Sequence, residues 1–136
     1  VLDESVKADF EALAKVRRGD FSVTSMTADE GKWVVAYVTD DGPTSYYLYD
    51  RAAKKADFLF VNNSKLEMVK LAQMEPVSFQ AKDGLTIHGY LTKPLGVEAK
   101  NLPAVLYVHG GPGARDTWGF NPAAHFLAHR GYAVLQ

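Results

Sequence analysis

The residues in this sequence best suited to chemistry stand together at His109-Gly110-Gly111-Pro112-Gly113. They follow a nearly continuous apolar run, Ala104 to Val108, that opens after Pro103. Attack on a carbonyl carbon builds negative charge on the carbonyl oxygen. Preorganised backbone N–H groups stabilise that charge, and loss of one donor raises the barrier by about 3–4 kcal/mol. A loop that brings its backbone so close to a substrate has no room for bulky side chains. Consecutive glycines leave that room and admit unusual backbone angles. Pro112 offers no N–H but stiffens the turn. Gly-Gly after a strand also describes a plain strand-to-loop turn, so the motif takes its meaning from its surroundings.

Other residues invite weaker assignments. His109 precedes the glycines, where its better-suited task is to hold the loop by a hydrogen bond rather than to act as a general base. Gly110 and Pro112 support the same loop. Arg115 and Asp116 follow closely; Arg115 is placed to reach a substrate group or to orient the loop through a carboxylate, and the pair also suits structural ion pairs. Trp118 and Phe120 suit either a substrate cleft or burial under the next helix. His88 falls in mid-strand and reads as structural. His125 and His129 are four apart, a spacing that binds metal on a helix, but no Glu or third ligand accompanies them, so no metal and no cofactor is expected. Absence of cysteine removes thiol nucleophiles, thiolate metal sites and disulfides. No G-x-S-x-G run occurs, so the sequence holds no nucleophile elbow.

The elements that must position the loop follow from hydrophobic periodicity. The spacing predicts a helix over 3–18, capped by Asp3, with Val6, Phe10, Leu13 and Val16 on its apolar stripe and its charged residues facing water. Four β-rich runs come next: Phe21 to Thr27, Lys32 to Thr39, Thr44 to Asp50 and Ala56 to Val61. Short polar turns separate them, which predicts an antiparallel meander over 20–62. Its strands are apolar on both faces, with Trp33, Val35 and Tyr37 opposite Val34, Ala36 and Val38, and Phe58 and Phe60 opposite Leu59 and Val61. Such a sheet needs cover on both sides, as a propeller blade has. A polar connector over 62–75, with a helical turn near Leu66 to Leu71, ends at Pro76, where the domain boundary is placed.

Beyond Pro76, Val77 to Ala81 and Leu85 to Thr92 form a hairpin about Asp83-Gly84. A loop from Lys93 to Leu102 leads to the run Ala104 to Val108, patterned as a strand buried on both faces. Asn121, Pro122 and Gly131 cap, open and end a helix, and Tyr132 to Leu135 begins another strand. Strand, helix and strand make a parallel unit with a right-handed crossover. The strands ending at His109 and Leu135 are expected to lack neighbours within the chain.

Composition narrows the function classes. Hydrophobic residues make up 47% and charged residues 23%, the balance of a soluble globular protein. Net charge is -1 and the basic residues are scattered, which argues against nucleic-acid binding. No run of about 18 apolar residues is present, so no membrane span is expected. The N-terminus lacks the basic start and apolar stretch of a signal peptide. It also lacks an initiator Met, so the compartment stays open between cytoplasm and periplasm or secretion.

The stretch from Pro76 to Gln136 resembles the start of the hydrolase domain in the prolyl oligopeptidase family of serine peptidases, most of all its acylaminoacyl-peptidase and dipeptidyl-aminopeptidase branch. The match is carried by Asp83-Gly84-Leu85-Thr86-Ile87-His88-Gly89-Tyr90-Leu91 and Tyr107-Val108-His109-Gly110-Gly111-Pro112, with Arg115-Asp116, Trp118-Gly119, Asn121-Pro122 and Arg130-Gly131-Tyr132-Ala133-Val134. Phe21 to Val61 is similar to the family's last propeller blade, with Tyr46-Tyr47-Leu48-Tyr49-Asp50 typical of it. The resemblance implies a β-propeller end over 1–75 and the first part of an α/β hydrolase domain over 76–136. It implies that the Gly111 N–H is one of two oxyanion donors. The second donor and the Ser, acid and His triad would all lie downstream, which leaves this chain inactive alone. It further implies a peptide substrate, short peptides above all, and sheet faces covered by the rest of the polypeptide or another copy. Two alternatives stay open: another α/β hydrolase, since His-Gly-Gly-Pro-Gly also resembles proline iminopeptidases and esterase loops, or a non-catalytic interaction fragment.

Overall fold

A computed structural model describes residues 3–98 and 100–136 of the chain. Backbone contacts divide it into two units, the first running to Met68 and the second from Val69 to Gln136.

The first unit opens with a 3-10 turn, Glu4–Val6, that runs into helix α1, Lys7–Leu13. Asp3 accepts a hydrogen bond from the Ser5 N–H at 2.8 Å, as its capping position requires. The helix ends at Leu13, earlier than its periodicity suggested, and Val16 lies exposed beyond it. Four strands follow as an antiparallel meander in sequence order: β1 Asp20–Met26, β2 Lys32–Val38, β3 Ser45–Asp50 and β4 Lys55–Val61. Leu13 of α1 packs with Trp33, Val35, Tyr37 and Tyr49 as the buried core, so α1 covers one face of the meander. The other face, with Val34, Leu48 and Tyr46, has no such cover within this unit.

Strict alternation placed Phe58 and Phe60 on one side. The structure separates them. A bulge between Tyr46 and Tyr47 pairs Phe58 with Tyr47 and Phe60 with Tyr46, which are consecutive residues and so lie on opposite faces. Phe58 meets Tyr47 edge-on at 5.5 Å on the side of the core, while Phe60 stacks on Tyr46 at 4.8 Å on the open side.

A second correction concerns charge. Asp9 was expected to face water with the other charged residues of the helix, and it is completely buried. The Tyr49 hydroxyl donates to its Oδ1 at 2.9 Å and Arg51 Nε to its Oδ2 at 3.1 Å; Lys54 Nζ also donates to Oδ1. Burial alone pushes the carboxyl up, but the bonds from Lys54, Tyr49 and Arg51 outweigh it and hold Asp9 below the usual carboxylate range. The Arg51 guanidinium also lies 4.7 Å over the Trp33 ring. At the other end of the helix, the Tyr37 hydroxyl donates to the Leu13 carbonyl at 2.8 Å. Burial, helped by the Tyr47 phenol, pushes Tyr37 up to about 12.

After a 3-10 turn at Ser64–Met68, the second unit forms a mixed sheet of β5 Met74–Gln80, β6 Thr86–Thr92, β7 Ala104–Leu106 and β8 Ala133–Leu135, with helix α2, Pro122–Ala128, between β7 and β8. Pro76 lies inside β5, opposite Tyr90, rather than closing the connector. The β5–β6 turn has the expected form: Gly84 adopts a φ of 84° and the Ala81 N–H donates to the Leu85 carbonyl at 2.8 Å. Residue 99, within the loop expected from Lys93 to Leu102, lies outside the described residues.

Strand order is β5-β6-β8-β7. The β7–β8 pair is parallel, as the strand-helix-strand pattern requires. The strand ending at Leu135, however, does have neighbours. It lies between β7 and β6, pairing Val105 with Val134 on one side and Thr92 with Val134 on the other. The insertion needs a close approach at Gly89, where a Cβ would sit 2.5 Å from the Gln136 carbonyl oxygen. β7 is left at the edge of the sheet. Helix α2 buries Ala124 and Ala128 on the side of Thr92 and Val134. The opposite face, with Val77, Phe79, Ile87, Leu135 and Leu106 in register, is bare: Leu106 is 67% exposed and Val108 70%. The run Ala104 to Val108 is therefore not buried on both faces within this chain, because one helix covers only one side of the sheet.

Two outcomes test this account. Asp9→Asn removes the negative charge and replaces one of the two accepting oxygens by an NH2 donor, and is expected to destabilise the chain by about 2–3 kcal/mol in urea unfolding; the partial exposure of Arg51 and Lys54 keeps the loss below the full value for a broken buried pair. Because the folded carboxyl is held below its unfolded value, its contribution is present above about pH 4 and is lost as pH falls from there through the lowered folded value, so Asp9→Asn should also be less sensitive to acid. Gly89→Ala forces β6 and β8 apart and is expected to lose hydrogen-exchange protection at the Tyr90 and Gln136 amides, while protection in the first unit stays unchanged.

Candidate functional site

The candidate loop leaves the end of β7. The Tyr107 N–H still donates to the Leu135 carbonyl at 2.8 Å, and beyond it the chain has no helix or strand until α2. His109 is exposed, and its Nδ1 donates to the carbonyl of Gly110 at 2.8 Å. A carbonyl only accepts, so Nδ1 carries the proton of this bond. The Gly111–Pro112 peptide is cis. Among the described residues, the Gly111 N–H makes no hydrogen bond. A Cβ on Gly111 would meet the nitrogens of Gly113 and Ala114 at 3.0 and 3.3 Å, whereas one on Gly110 would meet nothing within 4 Å. The two glycines thus differ: the turn crowds a side chain at Gly111 and leaves Gly110 unconstrained by packing.

A cavity of about 620 Å³ opens on the bare face of the second sheet, floored by Val77, Phe79, Ile87, Leu106 and Leu135. His88, His109, Arg115 and Asp116 also line it, while Gly110, Gly111 and Pro112 do not. Arg115 is exposed and makes no ion pair or hydrogen bond among the described residues. Its neighbour Asp116 accepts a hydrogen bond from the Gln136 side-chain amide at 3.3 Å, which ties the loop to the end of β8.

The remaining candidates fall elsewhere. His88 is exposed on β6. Trp118 and Phe120 are half-buried and lie outside the cavity: the Trp118 indole N–H donates to the Met74 carbonyl at 3.1 Å, and the Phe120 ring packs 4.8 Å from the His125 imidazole. His125 is buried, with Nδ1 at 2.7 Å from the Asn121 carbonyl oxygen and Nε2 at 3.0 Å from that of Ala72, whereas His129 is exposed. Their spacing serves packing: one ring points at the backbone and the other at solvent. Asn121 accepts from the Ala123 and Ala124 N–H groups at 3.0 and 3.1 Å, which fixes where the loop ends. Sequence reasoning missed the donor role of Trp118 and the close approach at Gly89. Gly inside a strand pattern is the one local signal that marks such an approach.

The chain is 42% identical to dipeptidyl aminopeptidase BIII of Pseudoxanthomonas mexicana, over 99% of its own length and 21% of that protein's. This likeness supports the resemblance to prolyl oligopeptidase-family peptidases. It is also 32% identical to dipeptidyl peptidase family member 6 of Caenorhabditis elegans, over 100% of the chain and 21% of that protein. Dipeptidyl peptidase 4 of Porphyromonas gingivalis shares the fold, with a TM-score of 0.67 at 16% identity over 89% of this chain and 18% of that one. No family model matches the chain. The chain spans about a fifth of the length of the curated relatives it matches. In this family setting, the meander with its helix is blade-like, and the mixed sheet with α2 comprises the first strands and first helix of an α/β hydrolase sheet. No helix among the described residues is long and apolar enough to cross a membrane.

The asymmetry between the glycines is measurable. Gly111→Ala is expected to lower stability by about 1–2 kcal/mol through backbone crowding, and Gly110→Ala by less than about 0.5 kcal/mol, in parallel thermal or urea unfolding.

Proposed function

We propose that this chain is part of a serine peptidase of the prolyl oligopeptidase family, spanning the end of its β-propeller, 1–75, and the start of its hydrolase domain, 76–136. The parent enzyme cleaves short peptides through an acyl-enzyme. A serine hydroxyl attacks the scissile carbonyl, and the Gly111 N–H donates to the oxygen as it becomes negative. Its contribution grows with that charge, so it lowers the barrier more than it tightens substrate binding. His109, Gly110 and Pro112 hold the turn, and Arg115 reaches a polar group of the substrate or orients the loop. The serine, its acid and its histidine come from other parts of the polypeptide, so the 136-residue chain is inactive by itself. The bare sheet face carrying Phe79, Ile87 and Leu106 is covered by that same polypeptide.

One observation carries the reading: in the loop that follows a sheet strand stands an exposed glycine, crowded by its own turn, whose N–H is bound to nothing among the described residues. Relatives with peptidase names, aligned along the whole chain, support the reaction class.

The test is a fluorophosphonate probe and a dipeptide p-nitroanilide, applied to the full-length protein and to residues 1–136. The full-length protein is expected to label at a G-x-S-x-G serine beyond Gln136 and to release nitroaniline, and the 136-residue chain to do neither. Turnover of aryl esters without peptide cleavage points instead to an esterase. A full-length protein with no labelled serine overturns the catalytic reading and leaves an interaction role.

A further inference from the structure

From Tyr107 to Asn121 the chain has no helix or strand of its own. Such a segment keeps its place only through isolated bonds at a few points. Its near end is tied at Tyr107, on the carbonyl of Leu135. Its far end is tied at Trp118, whose indole N–H donates to the carbonyl of Met74 at 3.1 Å. Met74 is the first residue of β5 and is buried, so it is a fixed point of the sheet. Two residues upstream, the Ala72 carbonyl accepts from His125 Nε2 at 3.0 Å. The same short backbone segment is thus gripped from the loop by Trp118 and from α2 by His125, and the Phe120 ring against His125 links the two grips. Gly111, with no hydrogen bond of its N–H among the described residues, inherits its position from these tied ends and from Asp116, which accepts from the Gln136 side chain at 3.3 Å between them.

We propose that Trp118 is a positioning residue for the oxyanion donor: its indole N–H on the Met74 carbonyl fixes the far arm of the loop and so sets where the Gly111 N–H points. This rests on the reading of Gly111 as that donor. Trp118 is half-buried and directs its indole N–H to the Met74 carbonyl, so it acts on the loop rather than on substrate. A displacement of about 1 Å in a catalytic group lowers a rate by on the order of a hundredfold. Release of one tether among several is a smaller disturbance, so the expected loss is about tenfold. It falls on kcat, because the oxyanion exists only in the transition state, and KM changes by less than about twofold.

The experiment compares Trp118→Phe with Gly111→Ala in the full-length enzyme, with a dipeptide p-nitroanilide as substrate. Trp118→Phe keeps an aromatic ring and deletes the donor. A tenfold lower kcat with KM nearly unchanged supports the proposal, provided Gly111→Ala also loses kcat. A normal kcat in Trp118→Phe beside an impaired Gly111→Ala overturns the proposal alone, and a lower melting temperature with normal kcat makes Trp118 merely structural. Normal kcat in both variants overturns the oxyanion reading itself. If Trp118→Phe does not fold, benzothienylalanine at 118, which keeps the bicyclic ring and replaces the N–H by sulfur, is measured by the same criteria. Failure of that variant to fold also assigns Trp118 to folding and overturns the proposal.

Discussion

The second sheet is joined through β8, a strand of three residues that hydrogen-bonds on both of its edges. On one side the Gln136 and Tyr90 backbones exchange hydrogen bonds at 2.8 and 2.9 Å. On the other side the Leu135 carbonyl receives the Tyr107 N–H, and the Ala133 N–H reaches the Pro103 carbonyl at 2.9 Å. Without β8, no strand hydrogen-bonds the hairpin of β5 and β6 to the strand that delivers the His109 loop. The strand fits only because Gly89 has no side chain where the Gln136 carbonyl must pass. The position of the loop is therefore set by a contact whose sequence signature is one glycine inside a strand.

The same insertion explains what is left open. Placing β8 inside the sheet leaves β7 at the edge, with the loop of His109 to Pro112 beyond its end. One helix, α2, covers one face. The other face keeps Phe79, Ile87 and Leu106 in contact with the cavity. An edge strand and an apolar face both call for further structure. The chain spans about a fifth of each curated relative it matches.

The first unit solves a comparable problem with charge. A seven-residue helix is too short to be stable by its own backbone bonds and depends on what it packs against. Asp9 adds a buried carboxylate that gathers donors from Tyr49, Arg51 and Lys54, all at or just after β3. Each donor satisfies part of a charge whose burial would otherwise be costly. The arrangement fixes which side of the meander α1 covers, and leaves the side of Tyr46 and Phe60 uncovered by α1.

Much of this was legible from residues close together in the chain. The Asp83-Gly84 turn, the Asn121-Pro122 start of α2, its end at Gly131, the order of the strands along the chain and the His109-Gly110-Gly111-Pro112 loop all rest on interactions spanning a few residues, and side-chain type determines those directly. The tertiary structure alone decided the rest: β8 between β6 and β7, the bulge that sends Phe58 and Phe60 to opposite faces, the burial of Asp9, and the grip of Trp118 on Met74. Each depends on a partner far away in sequence, and the free energy of such a contact exists only once the chain has brought both partners together.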